Sequence, residues 1–266
     1  MRALIDGDII VYRNAWAAKD ESEAIAKHRV DAMIDRILED TDATEFQVYL
    51  SDSTENGFRY RIYPKYKSNR PEKPPFYDLL KEHLILEFKA TITMHQEADD
   101  ALGIAQTDYR SINVEGDPLP VICSLDKDLN QIPGDHYSIG TRELYYIDPH
   151  TAMERFYEQV LTGDRADNIP GLWMIGPTTA EKILKGCNSE KDMFFATLDT
   201  YHRVFEKEWG KDKTEWTDFK YHQMLNLLLI YGRLLKIRTK EEEIWDFPEG
   251  TVPQPLLQDI QLSSIQ

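Results

Sequence analysis

The sequence contains little cysteine and no long apolar run. Its two cysteines, Cys123 and Cys187, stand far apart in a chain of 266 residues, which excludes a disulfide framework and a cysteine-based zinc site. The longest wholly apolar run, LLLIY at 227–231, is far shorter than the roughly 20 residues that a membrane-spanning helix needs. The opening residues, MRALIDGDII, carry aspartates and do not resemble a secretory signal peptide. We therefore expect a soluble, cytoplasmic protein.

Positive charge is also scarce. The chain has 31 Lys+Arg against 47 Asp+Glu, a formal net charge of -16, so net charge gives no general attraction to nucleic acid. Hydrophobic residues make up 41% of the chain, which is enough for a core. Its length suits one large domain or two of ordinary size. The placement of the acids is therefore more informative than their number.

Three short apolar runs end in aspartate, and each has the composition of a buried strand. They are ALIDGD (3–8), FQVYLSD (46–52) and LPVICSLDKD (119–128). Residues with helical spacing fill the intervals, at 21–40, 76–88 and 97–109. Strands that alternate with helices predict an α/β fold with a mainly parallel central sheet flanked by helices. Ligands of such sheets bind beyond the carboxyl ends of the strands, where these aspartates would lie.

The pattern typical of strands ends near residue 150. HYSIGTRELYYI (136–147) predicts a hairpin that turns at Gly140–Thr141, and Asp148-Pro149 predicts the start of a helix. Further helices are predicted at 151–161, 178–185, 190–209 and 216–236. We predict an α/β core over residues 1–150, a helical region over 151–247 and an irregular C-terminal arm over 248–266.

Acidic residues recur at the predicted strand ends. One aspartate there is usually a turn former or a helix N-cap, but three at successive strand ends call for another reason. In HQEADDALG, Glu97 and Asp100 share a helix face beside apolar residues, and the helix dipole alone explains three adjacent acids poorly. The candidate metal ligands are Asp6, Asp52, Glu97, Asp99, Asp100, Asp126, Asp128, Asp164 and Asp167, with Asp8 as a further candidate.

These carboxylates favour a hard divalent cation. Lys127 is the only lysine interleaved with them, and there is no histidine cluster for zinc. Mg²⁺ prefers oxygen ligands and is commonly held by a few carboxylates together with a substrate phosphate. The sequence therefore predicts a site for two Mg²⁺ or Mn²⁺ ions, a pair that can promote hydrolysis of a phosphodiester.

A glycine-rich turn and a basic segment complete the set of candidate features. In IPGLWMIGPTTAEKIL (169–184) the glycines precede a new helix, an arrangement that suits a backbone phosphate; an ordinary connection between helices is the alternative. FRYRIYPKYKSNRPEK (58–73) holds six Lys/Arg against one Glu, with aromatic residues between them. Such alternation suits a strand that is both anionic and stackable, although a solvated charged surface is the alternative. Its candidate nucleic-acid contacts include Arg59, Arg61, Lys65 and Lys73.

Together these motifs resemble the flap endonuclease-like 5′ nucleases, and the bacteriophage 5′→3′ exonucleases and ribonuclease H-type members are most similar. In the family's order over roughly residues 1–185, the motifs are IDGD (5–8), LSD (50–52), YKSNR (66–70), EADD (97–100), SLDKD (124–128), GDRADNIPG (163–171) and IGPTTA (175–180). The resemblance implies a PIN-like nuclease core and metal-dependent hydrolysis of DNA at a 5′ end, flap or nick, or of RNA in an RNA–DNA hybrid.

The resemblance also implies roles for individual residues. The nine acids named above match metal-binding carboxylates, and Lys67 and Arg70 match a catalytic lysine and its companion, both directed at the scissile phosphate. Tyr66 matches an aromatic residue that stacks on the terminal base, and Arg13 matches an arginine on the first helix near the site. Residues 58–90 match the arch or gateway segment, whose proline-rich part leaves open whether it encloses a 5′ end.

The glycine turn matches a helix-three-turn-helix, at about 151–186, that grips duplex DNA and often holds K⁺. Its candidate DNA contacts are Gly171, Gly176, Thr178 and Thr179. We expect a monomer, with any polymerase or single-strand-binding protein acting in trans, in a bacterial or phage-infected cell.

Two other functions are compatible with parts of the sequence. ALIDGDIIVYR loosely matches a haloacid dehalogenase-like phosphatase with Asp6 as nucleophile, but that family would place Thr or Val where Ile10 stands, and YKSNR would be unexplained. A catalytically inactive DNA-binding relative should have lost metal ligands, whereas all the matched acids are present. The balance of exonuclease and flap endonuclease activity, and of DNA and RNA preference, stays open.

Overall fold

The computed structural model describes residues 1–52, 57–112, 117–209 and 218–252. Residues 253–266 of the predicted arm and 216–217 of a predicted helix lie outside this range. The chain divides into two units: the first comprises residues 1–58, 71–151 and 237–243, and the second 59–70, 152–236 and the residues from 244 onward. Residues 59–70, predicted to belong to the α/β core, thus group with the second unit. No helix in the described ranges is long and apolar enough to cross a membrane.

A six-stranded sheet forms the centre of the first unit. Its order is β3-β2-β1-β4-β5-β6; the neighbours from β3 to β5 run parallel, and β6 is antiparallel to β5. The predicted mainly parallel sheet is confirmed, and β5 and β6 form the predicted hairpin. The strands are β1 (Arg2–Asp6), β2 (Glu45–Ser51), β3 (Thr91–Thr93), β4 (Pro120–Ser124), β5 (Gly134–Ser138) and β6 (Glu143–Ile147).

Helices cover both faces of this sheet. Successive strand residues point to opposite faces, so Ala3 and Ile5 join one apolar cluster while Leu4 joins another. The cluster that contains Leu4 also receives Leu102. These double-sided contacts explain why the strands read as continuous apolar runs. The helices are α1 (Gly7–Ala17), α2 (Glu23–Thr41), α3 (Phe58–Ile62, which continues into the second unit), α4 (Tyr77–Phe88) and α5 (Ala98–Ser111), with a 3₁₀ helix at Lys127–Gln131.

Close packing explains the glycine of IDGD. Gly7 starts α1 directly after β1, and a Cβ atom there would lie 2.6 Å from the carbonyl oxygen of Tyr49 on β2. Only glycine lets α1 begin this close to the neighbouring strand. The start of α1 is therefore pressed against the carboxyl end of the sheet.

The second unit is mainly helical. The predicted helices are present to within two residues, and Asp148 accepts hydrogen bonds from the backbone N–H groups of His150 and Thr151 at 2.9 and 3.1 Å, as expected of an N-cap. Aromatic residues fill the core, where the Tyr201 hydroxyl donates to the Val160 carbonyl at 2.8 Å. The helices are α6 (Pro149–Thr162), α7 (Pro177–Leu184), α8 (Glu190–Trp209) and α9 (Asp218–Leu235), and a short antiparallel ladder pairs β7 (Gly163–Asp164) with β8 (Ile169–Pro170).

Candidate active site

In the first unit, predicted metal ligands follow the carboxyl ends of adjacent strands. Asp6 ends β1, Asp52 follows β2 directly, and Asp126 lies two residues beyond β4. Because β1 pairs with both β2 and β4, these positions share one edge of the sheet. We call this set, with the later acids of the same unit, the acidic edge. Its other members are Glu97, Asp99 and Asp100, where α5 begins after β3, and Asp128 in the 3₁₀ helix.

Asp6 is buried within this edge. The residue is 1% exposed; its carboxylate caps α1 by accepting from the Ile9 N–H at 3.1 Å and also accepts from the Ser124 hydroxyl at 2.6 Å. Burial and then the charge of Asp8 raise the pKa of Asp6 to about 7, with a further contribution from Asp126; the hydrogen bond from Ser124 opposes the rise. Negative charge is thus unfavourable here unless a cation compensates it.

Two serines that are not among the predicted site residues help to organise the acidic edge. The Ser124 hydroxyl donates to Asp6 and accepts from the Asp126 N–H at 2.9 Å. The Ser51 N–H lies 3.2 Å from both carboxylate oxygens of Asp8. The signal in the sequence is a serine shortly before each strand-end aspartate, in LSD and SLD. Because of this contact with β2, we add Asp8 to the acidic edge.

The acids of α5 and of the 3₁₀ helix also have structural contacts. Asp100 is 0% exposed and accepts from the Arg238 N–H at 3.1 Å. Asp126 caps the 3₁₀ helix by accepting from the Asp128 N–H at 2.8 Å. Asp6 and Asp126 therefore act as N-caps, the usual role of an aspartate at a strand end, and also lie at the edge of the sheet. The two roles are compatible because a carboxylate has more than one acceptor position.

The donor chemistry of the acidic edge fits a hard divalent cation. Every candidate ligand there offers carboxylate oxygens, which Mg²⁺ and Mn²⁺ prefer. Across the described residues, no three acidic, histidine or cysteine side chains are arranged closely enough to enclose an ion. The fit to a cation thus rests on the kind of donor atom and on the shared strand ends.

In the second unit, two predicted motifs bind each other. The Lys67 N–H donates to the Asp167 carbonyl at 2.9 Å. The Asn69 side chain donates to the Arg165 carbonyl at 2.8 Å, and the Asn168 side chain donates to the Lys65 carbonyl at 2.9 Å. We call residues 65–70 and 164–168 the interlocked loops. They join YKSNR to the GDRADN part of GDRADNIPG.

Asp167 receives the cations of the interlocked loops. Arg70 donates to its Oδ1 at 2.8 Å, and the Tyr66 hydroxyl donates to its Oδ2 at 2.9 Å. The Lys67 ammonium lies 3.5 Å from the same Oδ2, with its side chain only 9% exposed. The predicted catalytic pair therefore shares one carboxylate.

Two predicted nucleic-acid contacts are buried in the second unit. Arg59 is 5% exposed and donates to the carbonyls of Leu234 and Lys236 at 2.8 and 2.7 Å, where α9 ends. Tyr66 is 2% exposed and packs edge-to-face on Tyr60, with ring centroids 5.2 Å apart. Helix ends need donors for their last carbonyls, and a ring in the core has no face for a base. In this arrangement Arg59 caps a helix and Tyr66 lies in the core, and their contacts with nucleic acid stay predictions.

The other basic residues predicted to contact nucleic acid have exposed side chains. They include Arg61 at the end of α3, Lys65 in the interlocked loops and Arg13 on α1 of the first unit. Lys73, also in the first unit, forms an ion pair with Asp78 at 3.1 Å. These side chains stay candidates for contact with a phosphate backbone.

The glycine turn has different requirements at its two glycines. A Cβ atom on Gly171 would lie 2.0 Å from the Thr162 carbonyl oxygen, so close backbone packing demands glycine there. Gly176, the N-cap of α7, has open space around it. Thr178 and Thr179 are exposed in the first turn of α7, which contains no acid. The helix-three-turn-helix and its phosphate contact stay predictions.

Residues 1–159 match the family model described as the 5′-3′ exonuclease, N-terminal resolvase-like domain. The chain belongs to this family of flap endonuclease-like 5′ nucleases. The predicted resemblance is confirmed, and the phosphatase alternative is wrong. DNA polymerase I of Bacillus caldotenax is 30% identical over 205 residues, 68% of this chain and 23% of the polymerase, so the chain matches under a quarter of that relative's length. The 5′-3′ exonuclease of Buchnera aphidicola is 26% identical over 213 residues, 72% of each chain.

A solved structure of a bacteriophage protein has the same fold. The bacteriophage T5 flap endonuclease, in a pseudo-enzyme-product complex with DNA and metal ions, has a TM-score of 0.56 and 17% sequence identity, covering 100% of this chain and 99% of the other. This similarity confirms the parallel sheet with flanking helices and the helical C-terminal part.

Proposed function

We propose that this protein is a metal-dependent 5′ nuclease that hydrolyses phosphodiester bonds of DNA at a 5′ end, flap or nick. The observation that carries the proposal is the acidic edge, where Asp6, Asp52 and Asp126 follow three adjacent parallel strands. Membership of the 5′-3′ exonuclease family supports it. So do the names of the relatives, an exonuclease and a flap endonuclease crystallised with DNA and metal ions.

The acids of the edge are the groups that would hold the ions, two Mg²⁺ or Mn²⁺. The resemblance adds Asp164 and Asp167 of the second unit to this set. When bound, a pair of such ions supplies activation of the attacking water and stabilisation of the leaving oxygen. The protein's part is to keep the carboxylates oriented: Ser124 and the Ile9 N–H fix Asp6, and the Asp128 N–H fixes Asp126.

Lys67 and Arg70 are the groups proposed to bind the scissile phosphate. Cations fixed in place before the reaction stabilise negative charge that develops on phosphate oxygens. Both are already ordered by the interlocked loops. The exposed Arg61, Lys65 and Lys73 would guide the strand, and the turn from Gly171 to Thr179 would bind duplex backbone, with K⁺ as its proposed ion.

The proposed cellular setting follows from the relatives. DNA polymerase I contains the matching region within a longer chain, which supports cooperation with a polymerase, and we extend this to a single-strand-binding protein in trans. We propose a monomer acting in the cytoplasm of a bacterial or phage-infected cell, with RNA–DNA hybrids as a second substrate.

The test compares the products from a labelled 5′ flap, a nicked duplex and an RNA–DNA hybrid under one Mg²⁺ concentration. Wild-type protein should release 5′ fragments whose lengths report exonuclease or flap cleavage. Asp126→Asn should abolish cleavage, whereas Asp199→Asn, an exposed acid on α8, should not. Tight DNA binding without any Mg²⁺-dependent cleavage by wild type would overturn the proposal in favour of an inactive DNA-binding relative.

A further inference from the structure

A short segment from the C-terminal part of the chain lies in the first unit. Residues 237–243, which we call the strap, group with the six-stranded sheet and its helices, although residues 152–236 before them and the described residues from 244 onward group with the second unit. The strap lies beyond residues 1–159, the range that the family model matches. The first unit therefore includes a segment from outside the matched family domain.

Apolar packing holds the strap in place. Ile237 is 5% exposed and joins an apolar cluster that also contains residues of β1, α5, β4 and the 3₁₀ helix. A Cβ atom on Gly103 of α5 would lie 2.3 Å from the Arg238 carbonyl oxygen and 3.2 Å from Cγ2 of Ile237. Because glycine alone leaves room for this approach, the strap lies directly against α5.

The strap contacts both helices that carry candidate metal ligands of the acidic edge. The Arg238 N–H donates to Oδ1 of Asp100 at 3.1 Å, and Asp100, in the first turn of α5, is 0% exposed. The Ile237 N–H donates to the side-chain oxygen of Gln131 at 3.3 Å, and Gln131 ends the 3₁₀ helix that Asp126 caps. A buried carboxylate needs hydrogen-bond donors. The strap thus orients a candidate ligand on α5 and is also bonded to the end of the 3₁₀ helix.

Glu243 closes the strap on itself. Its Oε2 accepts from the Thr239 N–H at 2.7 Å, from the Thr239 hydroxyl at 3.0 Å and from the Lys240 N–H at 3.2 Å. Arg238 donates from Nε to the Glu243 carbonyl at 2.9 Å, and its guanidinium carbon lies 4.4 Å from the centroid of the Phe58 ring. These contacts fix the shape of the strap and so the direction of the Arg238 N–H.

We propose that the strap is a positioning element of the metal site, which holds α5 and the 3₁₀ helix so that Asp100 and Asp128 are oriented for divalent ions. The inference rests on the proposed function, because it takes these acids to be ligands of Mg²⁺ or Mn²⁺. None of the predicted site residues lies in the strap. Contacts that orient metal ligands commonly change metal affinity by about 10–100-fold, so the strap should act on the affinity for the ions.

Gly103→Ala and Gly232→Ala are a matched pair for the first test. Each adds a methyl group to a helix against a close neighbour, which is the strap for Gly103 and, for Gly232 in the second unit, the Trp245 ring at 2.1 Å. Both variants should unfold at lower urea concentration than wild type, but Gly103→Ala alone should weaken Mn²⁺ binding, by at least about tenfold.

Mn²⁺ affinity is measured on folded protein without DNA, from the electron paramagnetic resonance signal of free Mn²⁺, and circular dichroism checks the fold. An equal loss of affinity in both glycine variants would show that the loss follows from reduced stability and not from the strap. That result, or an unchanged affinity in folded Gly103→Ala, would overturn the proposal.

A second pair separates the N–H of Arg238 from its side chain. Arg238→Pro removes the N–H that Asp100 accepts, whereas Arg238→Ala keeps this N–H and removes the guanidinium. The proline variant should weaken Mn²⁺ binding about tenfold, and the alanine variant should stay within about threefold of wild type. Unchanged Mn²⁺ affinity in folded Arg238→Pro would contradict the proposal, and this pair decides it if Gly103→Ala does not fold.

Cleavage of a 5′-flap substrate gives a further measurement. Arg238→Pro should need about tenfold more Mg²⁺ for half-maximal rate, and saturating Mg²⁺ should restore kcat to within about threefold of wild type. A loss of kcat that Mg²⁺ does not restore would count against a role in metal affinity. Wild type that binds Mn²⁺ but cleaves no DNA would overturn the proposed function alone, since the Mn²⁺ titrations would still decide the role of the strap.

Discussion

The carboxylates of the acidic edge and of the interlocked loops have different kinds of neighbour. At the edge, Asp6 and Asp8 accept hydrogen bonds from the neutral donors Ser124, Ile9 and Ser51, and burial together with the neighbouring carboxylates raises the pKa of Asp6. In the loops, Asp167 is matched by Lys67 and Arg70. Asp6 thus lies buried beside charges of its own sign, an arrangement that a bound cation would stabilise. In the interlocked loops, Lys67 and Arg70 already have Asp167 as a counterion before any phosphate binds.

Removing the proposed phosphate-binding cation should have the largest effect. Lys67→Ala should lower kcat for flap cleavage by about 10²–10³-fold, the usual loss when one donor to a developing charge is removed. Lys65→Ala removes a neighbouring exposed cation of the same loops and should change kcat by less than about threefold. Steady-state kinetics on a 5′-flap substrate measure both. If Lys67→Ala and Lys65→Ala lowered kcat equally, the proposed difference between their roles would be wrong.

Asp6 should make the stability of the metal-free protein depend on pH. Its pKa is raised in the folded state to about 7 from 3.8, so the folded protein holds a proton that the unfolded chain releases. Stability from this group is therefore greatest below about pH 4 and is lost as pH rises to about 7, at no more than about 1.4 kcal/mol per pH unit.

Urea unfolding in EDTA measures this dependence. Asp6→Asn keeps an N-capping side chain and should not lose stability as the pH rises. At pH 8 it should be more stable than wild type by about 2 kcal/mol. Asp199→Asn should follow the wild-type profile. Added Mg²⁺ should stabilise wild type at pH 8 more than Asp6→Asn. An identical pH profile for wild type and Asp6→Asn would show that the pKa of Asp6 is not raised in the folded protein.

Arg59 and Arg61 form a matched pair on α3. Arg59→Ala should lower the free energy of unfolding by about 1.5–3 kcal/mol, because the carbonyls at the end of α9 lose a charged donor. Arg61→Ala should change stability by less than about 0.5 kcal/mol but weaken DNA binding. Urea unfolding and fluorescence anisotropy with labelled DNA separate the two effects. Weaker DNA binding by Arg59→Ala at full stability would instead support its predicted contact with nucleic acid.

The smallest effect is expected at the serine of the acidic edge. Ser124→Ala removes a donor to Asp6 and an acceptor of the Asp126 N–H, so stability should fall by about 1 kcal/mol. Flap cleavage should fall by about tenfold and require more Mg²⁺. Ser111→Ala, at the exposed end of α5, is the control and should match wild type in Mg²⁺ dependence. A Mg²⁺ titration in which both serine variants match wild type would remove Ser124 from the site.

The sequence predicts the acidic edge better than the interlocked loops, for a physical reason. Strand ends are local features, so the aspartates after β1, β2 and β4 can be placed from composition and turn signals alone. Contacts between distant segments have no such signal: Arg59 meets the Leu234 carbonyl 175 positions away, and Tyr66 meets Asp167 101 positions away. Cations and rings alternating along the chain therefore indicate a nucleic-acid surface, although tertiary packing buries Arg59 and Tyr66. The roles of Ser51 and Ser124 could not be predicted from the sequence because serine is common in turns.

The central claim is that the acidic edge holds divalent ions, and anomalous diffraction from Mn²⁺-soaked crystals tests it most directly. The account predicts an anomalous difference peak at the carboxyl ends of β1, β2 and β4, beside Asp6, Asp52 and Asp126, and loss of that peak in Asp126→Asn. Crystals of active protein that show Mn²⁺ only elsewhere, with no peak at this edge, would contradict the account.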